Sequence, residues 1–242
     1  MLVKEVKEKI STKIFAHCTD AILSIVLDKP RTEISDNDYI SEENAIYCEE
    51  FASDFTKSYA LIYERGKTRF MDNPLIITKD VFPPVFATER FINEILNKFS
   101  AKKKVLEIGT GSGAMSIAIA KNTKDSQITA TDISDEILKV AKQNIELNNI
   151  TNINLIKSDL FNEINEKFDL IISNPPQQSS EKLNKAEQEG KLITPRVASD
   201  GGIDGLDLYN KIKNQAKEYL NEDGVLVLQY DGQTKIYNYN EL

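Results

Sequence analysis

Between residues 88 and 230 the chain alternates short apolar runs with amphipathic segments, and no other feature restricts its fold as much. The runs Lys104–Ile108, Gln127–Thr131, Ile153–Lys157, Phe168–Ser173 and Val225–Tyr230 read as strands. Helical spacing covers Thr88–Phe99, Ser112–Lys121, Ser134–Asn148 and Leu206–Leu220, the last with Leu206, Tyr209, Ile212, Ala216 and Leu220 on one stripe. Strands that are apolar throughout need cover on both sides, and helices between successive strands supply it. The expected architecture is therefore α/β, a doubly wound and mainly parallel sheet.

The preceding residues have a different texture. Apolar positions at helical spacing (Val6, Ile10, Ile14, Ala21, Ile25) predict a helix over about residues 2–27, closed by Pro30. A second is predicted over Ser41–Tyr63, with Ser41 as a capping hydroxyl. The turn residues Asp72-Asn73-Pro74 between two short extended runs predict a hairpin. The expected division is a small helical N-terminal domain over 1–64, a hairpin linker and approach segment over 65–86, and the α/β domain over 87–242. Residues between the fourth strand and the helix at Leu206 read as a long polar loop.

Charge and composition narrow the function. A formal net charge of -8 supplies no basic footprint, so nucleic acid is disfavoured as a substrate. No apolar run is long enough to span a bilayer, and residues 1–10 alternate Lys and Glu where a secretory signal would need an apolar centre. A soluble, cytoplasmic protein with no membrane partner is expected. His17 is the only histidine and Cys18 and Cys48 the only cysteines, too few for a zinc site, and no metal is expected. Adjacent His17 and Cys18 are expected to be packing side chains, because neighbours on a helix point apart.

The first strand of the alternation runs into Gly109-Thr110-Gly111-Ser112-Gly113, with a helix beginning behind. Glycines there allow a tight turn and close approach by a nucleotide or nucleoside cofactor, although such a turn is often only a turn. Gly109, Gly111 and Ala114 also satisfy the G-x-G-x-x-A spacing, and Asp132, some 20 residues on, ends the second strand where a ribose diol is held. These residues do not separate an NAD site from an S-adenosyl-L-methionine site. Three others lean to the latter. A carboxylate at Glu107 suits an ammonium and a sulfonium better than a pyrophosphate. Asp159, after the third strand, is placed to accept from an adenine amino group. Asn174-Pro175-Pro176 ends the fourth strand at the same carboxyl edge, where open α/β sheets bind ligands.

With LEIGTGSG, TDIS, SDLF and SNPPQ in this order, the chain resembles class I (Rossmann-like) S-adenosylmethionine-dependent methyltransferases, and among them the release-factor glutamine methyltransferase (HemK/PrmC-like) family. Residues 61–89 and 194–212 (TPRVASDGGIDGLDLYNKI) are similar to segments of that family. The resemblance implies cofactor contacts from Glu107, Gly109, Thr110, Gly111, Gly113, Asp132, Ile133, Ser158, Asp159, Leu160 and Asn174. It implies catalytic roles for Asn174 and Pro175, and substrate contacts from Phe86, Pro176, Gln177 and Arg196. The acceptor nitrogen would donate its two N–H groups to the Asn174 side-chain carbonyl and the Pro175 backbone carbonyl, on a loop that two prolines keep rigid.

Gln177 stands where the family has tyrosine, and Pro84-Val85-Phe86 where it usually has Pro-Arg-Pro. Both departures fall near the substrate. A polar small-molecule acceptor therefore stays open beside a protein glutamine, as does a degenerate fold acting as a binding module. The chain ends about a dozen residues after the strand Val225–Tyr230, so the last antiparallel strand pair of such folds is expected to be largely missing.

Overall fold

The computed structural model describes residues 1–14 and 16–242, and only the backbone of Ala16, His17, Phe55, Thr56 and Lys57. His17 and Cys18, as a pair, thus lie outside the described residues. The chain divides into two compact units, Met1–Thr78 and Lys79–Leu242.

In the first unit, each expected long helix is two helices: α1 (Val3–Ser11) with α2 (Ala16–Leu27), and α3 (Glu42–Ser53) with α4 (Phe55–Arg65). At the end of α1, Ser11 and Thr12 turn their hydroxyls onto the Glu8 and Lys9 carbonyls (2.9 and 2.8 Å). That local bonding competes with helix continuation. Asp54, in an extended conformation, separates α3 from α4. Ser41 caps α3, its hydroxyl accepting from the Asn44 N–H at 3.2 Å. Val3, Val6, Ile10, Ile22 and Leu23 are fully buried. So is Cys48, whose thiol burial pushes up to about 12, which leaves it unreactive.

The hairpin β1 (Lys67–Phe70) and β2 (Asn73–Ile76) belongs to this unit. Its turn falls at Met71 and Asp72, both at positive φ, the geometry that matches strand twist. Asn73 is already a strand residue, and its side-chain amide donates to the Phe70 and Met71 carbonyls.

The second unit begins with α5 (Phe86–Phe99) and continues as β3 (Lys104–Ile108), α6 (Ala114–Asn122), β4 (Gln127–Asp132), α7 (Asp135–Leu147), β5 (Ile153–Lys157) and β6 (Phe168–Ser173). Then come α8 (Ser180–Gln188), α9 (Asp207–Gln215), β7 (Leu220–Tyr230) and β8 (Gln233–Asn238). The strand order is β5-β4-β3-β6-β7-β8, parallel except for β8. The chain moves outward from β3 through β4 and β5, then returns to the other side of β3. That reversal leaves a crevice at the carboxyl ends of β3 and β6, the place where such sheets bind ligands. Leu106, Ile171, Leu226, Phe161 and Ile212 form one buried cluster joining the sheet to α9. Each large aliphatic side chain removed from water there stabilises by roughly 1.5–3 kcal/mol.

Two elements depart from expectation. Residues 180–188, expected within a polar loop, form α8, capped by the Ser179 hydroxyl accepting from Lys182 N–H at 3.4 Å. Its single buried residue, Leu183, left no apolar period to read. The sheet also continues past Tyr230: Asp231 and Gly232, both at positive φ, turn the chain into antiparallel β8. Tyr237 secures β8 to α9 through a 2.6 Å hydrogen bond between its hydroxyl and that of Tyr209. Among the described residues no helix is long and apolar enough to cross a membrane, and no group of three or more His, Cys, Asp or Glu could hold a metal ion.

Candidate active site

A cavity of about 850 Å³ opens at this carboxyl edge, within the second unit. The glycine loop forms one end. Gly109 and Gly111 take φ of 73° and 56°, and a Cβ on either would meet nothing within 4 Å, so the loop backbone faces open space. Gly113 also has positive φ, but a Cβ there would lie 3.5 Å from Ala141. That is ordinary packing distance, so its positive φ is what calls for glycine, and it is absent from the cavity wall.

Asp132, at the end of β4, ties this loop down. One carboxylate oxygen accepts from Gly111 N–H at 3.0 Å, the other from Ile133 N–H at 2.9 Å. Burial raises the carboxyl above its ordinary range while those N–H groups pull it down. Ser134 N–H adds a longer bond at 3.5 Å. A carboxylate offers about four acceptor positions, so one remains for a ribose hydroxyl. Ile133, about half exposed, and the exposed Asp159 stand on the wall with Leu160. Ser158 lines it too, and braces the loop by donating to the Leu160 carbonyl (2.9 Å) and accepting from Glu163 N–H (3.1 Å).

Glu107 is placed differently from expectation. It is fully buried and absent from the cavity wall. Its Oε2 accepts from the Thr110 hydroxyl (2.9 Å), the Ser116 N–H (3.1 Å) and, closely, the Ser116 hydroxyl, bracing the glycine loop against α6. Its Oε1 is buried with no hydrogen-bond partner. An orphaned carboxylate oxygen behind an open glycine loop fits a cationic ligand group. Burial pushes the Glu107 carboxyl up to about 7. Below the ordinary carboxyl range both folded and unfolded chains hold the proton, and this group costs nothing. As pH rises from 4.5 towards 7 the unfolded chain ionises first, so folding loses on the order of 3 kcal/mol through that window. Glu107→Gln should therefore gain stability over the parent at about pH 8 and not at about pH 4, as read from urea midpoints.

Beside the glycine loop, β6, the strand paired directly with β3, delivers Asn174, Pro175, Pro176 and Gln177 to the wall. Ser173 anchors the strand end, its hydroxyl donating to the Ile108 carbonyl at 2.8 Å. The Asn174 amide nitrogen donates to the Thr88 hydroxyl at 3.4 Å, and the Asn174 carbonyl accepts from Gln177 Nε2 at 3.1 Å. Gln177 Oε1 in turn accepts from the Asp231 backbone N–H at 2.7 Å.

The segment 199–205 clasps this loop from outside. Gln178 N–H donates to the Ser199 carbonyl and Gly201 N–H to the Gln178 carbonyl, each at 2.9 Å. A Cβ on Gly201 would lie 2.6 Å from the Pro176 carbonyl oxygen, and one on Gly205 2.5 Å from that of Gln177. Gly201 and Gly205 are thus required by contact with the diproline loop, which their turn-forming role alone did not reveal, whereas Gly202 makes room for the Asp207 side chain.

Arg196 lines the cavity, but its guanidinium is paired with Asp200 (3.0 Å) and Glu187 (3.0 Å), which fixes α8 to the clasp. Its charge is already met within the chain. Phe86 opens α5 and is not on the wall, whereas Val85, Ala87 and Thr88 are, since successive helical side chains diverge. Sequence reasoning missed Thr88, Asp231 and Gln229, whose buried Oε1 has no partner. Only Asp231-Gly232 carried a readable signal, the dipeptide of a two-residue hairpin.

Residues 85–194 match the family described as Methyltransferase small domain. The chain is similar to a release factor glutamine methyltransferase of Streptococcus pneumoniae, at 35% identity over 78% of this chain and 68% of that protein. It is also similar to a ribosomal protein uL3 glutamine methyltransferase of Francisella tularensis, at 39% identity over 55% of this chain and 43% of that one. It thus spans about two thirds of the first relative and under half of the second. Among solved structures, a methyltransferase from Pyrococcus furiosus superposes with a TM-score of 0.50 over 72% of this chain and 78% of that one, at 24% identity, a likeness of fold.

Proposed function

Because the chain belongs to the release factor glutamine methyltransferase family, we propose that it methylates the side-chain amide nitrogen of a protein glutamine, with S-adenosylmethionine as donor and a peptide-chain release factor as the protein. The second unit has the class I methyltransferase fold. The observation that carries the proposal is that the open glycine loop at Gly109 and Gly111 and the Asn174-Pro175 shelf border one cavity.

Bound S-adenosylmethionine supplies a methyl group already activated by its sulfonium. The chain has to hold an amide, a poor nucleophile, in line with it and keep water out. Gly109, Thr110, Gly111, Asp132, Ile133, Asp159 and Leu160 would line the cofactor, with Glu107 bracing the loop from behind. Asn174 Oδ1 and the Pro175 carbonyl would each accept one N–H of the acceptor, turning its lone pair towards the methyl. Neither proline has an N–H, so the shelf presents carbonyls alone. Pro176 and Gln177 would border the acceptor, while Arg196 would act through the segment it holds by Asp200 and Glu187.

The Francisella relative, named for ribosomal protein uL3, gives a second protein acceptor under the same chemistry. Both belong in one experiment. Purified protein is incubated with methyl-labelled S-adenosylmethionine and either a bacterial release factor or uL3, and label is located by peptide mass spectrometry. Label on a glutamine of one protein is the expected result. Label only in small molecules of a cell extract would replace the protein acceptor with a polar metabolite, and absence of cofactor binding by calorimetry would overturn both.

A further inference from the structure

The residue that occupies the family's tyrosine position is chemically the same as the proposed acceptor. Gln177 carries a primary amide, and its Nε2 donates to Asn174 Oδ1 at 3.1 Å, the bond assigned above to the incoming glutamine. Its Oε1 is held from the far side by Asp231 N–H at 2.7 Å, on the β7–β8 turn 54 positions away. Tied at both ends, the side chain is not a loose surface amide. Asn174 and Gln177 both stand on the cavity wall, so the bond is made where an acceptor would make it. We infer that Gln177 is a specificity-determining residue that acts as an internal stand-in for the acceptor amide, which a substrate displaces from Asn174 in order to bind.

The inference rests on the proposed function and sharpens its substrate. An acceptor with an N–H donor replaces the Gln177 bond to Asn174 with an equivalent one. An acceptor without such a donor leaves the Asn174 carbonyl facing a group that cannot satisfy it, which is penalised. The resting enzyme is competent only in the fraction of molecules whose Gln177 has let go, and apparent affinity falls by that fraction. The net strength of one such hydrogen bond sets the factor at about two- to tenfold.

Two variants separate the bond from the bulk of the side chain. Gln177→Glu keeps an oxygen for Asp231 N–H and removes the donor to Asn174; Gln177→Ala removes both. With a bacterial release factor as methyl acceptor, KM should fall about two- to tenfold in each, with kcat measured alongside so that a change in the chemical step is not mistaken for one in binding. An unchanged or raised KM in either variant overturns the inference. A second measurement needs no turnover and so stands apart from the proposed function. In ¹⁵N-labelled full-length protein, the Gln177 side-chain amide proton bound to Asn174, identified by its loss in Gln177→Ala, should exchange with water about two- to tenfold more slowly than those of surface glutamines, and at their rate in Asn174→Ala. Exchange in the parent protein at the rate of surface glutamines would overturn the stand-in even if methylation of glutamine is observed. A wild-type protein that binds S-adenosylmethionine but labels no glutamine would instead overturn the function, with the amide exchange still deciding the role of Gln177.

Discussion

Replacing Asn174 with alanine should lower methyl transfer by about 10²–10³-fold and leave S-adenosylmethionine affinity within a few-fold of the parent. The side chain sits on the cavity wall beside the glycine loop, but its bonds run to Thr88 and Gln177, not to that loop or to Asp132. Removing it takes away the carbonyl that orients the acceptor and leaves Asp132 and its N–H partners untouched. Single-turnover rates and calorimetry on the same preparation check both halves. A variant of near-parental rate would show that Asn174 does not orient the acceptor, and a variant that loses cofactor binding would move it to the cofactor.

Gly205→Ala should be almost as damaging, from a residue that need not touch the substrate. Its φ is 79°, which an alanine occupies only with strain, and its Cβ would lie 2.5 Å from the Gln177 carbonyl oxygen. That oxygen is backbone of the diproline loop and cannot swing aside. The segment 199–205 would lift away, taking with it the 2.9 Å bonds from Gln178 N–H and Gly201 N–H that hold the loop in register. We expect a loss of about 2–3 kcal/mol in urea unfolding. A shift of the shelf by an ångström would further reduce methyl transfer by about 10²-fold at saturating cofactor. Gly190→Ala is the control. It carries the same backbone strain, with φ of 66°, but nothing lies within 4 Å of its Cβ, so only about 1 kcal/mol and no activity should be lost. Equal effects at the two glycines would mean that strain, not contact with the loop, explains the first.

Much of the second unit is legible in the sequence. Its parallel strands and flanking helices announce themselves through patterns a few residues long, and they occur close to the expected spans. What escaped were elements without such a pattern. Helix α8 buries only Leu183, so its residues carry no apolar period. Strand β8 alternates partly buried and exposed positions at a sheet edge, and its only strong signal is the two-residue turn before it. In the first unit the apolar spacing was readable, but the breaks after α1 and α3 depend on hydroxyl-to-carbonyl bonds and one extended residue, which spacing does not report.

The site divides along the same line. Glycines at 109 and 111, an acid at the end of β4 and prolines at 175 and 176 declare themselves, because what they do is set by their own φ, missing N–H or charge. Their order carries the resemblance, and relatives such as the Streptococcus pneumoniae enzyme, 35% identical over 78% of this chain, show the family. Only the tertiary structure decides which of them face the cavity and which hold another residue in place. Glu107 braces the glycine loop from behind, Gly113 faces Ala141, and Arg196 is already paired with two carboxylates. Gln177 bridges Asn174 to Asp231. Some of these contacts are local, as from Glu107 to Thr110 and from Gln177 to Asn174, and depend on where each side chain points, which residue type does not report. Others, as between Gly113 and Ala141 or from Asp231 to Gln177, join residues far apart in the chain and exist only once the sheet has brought their elements together.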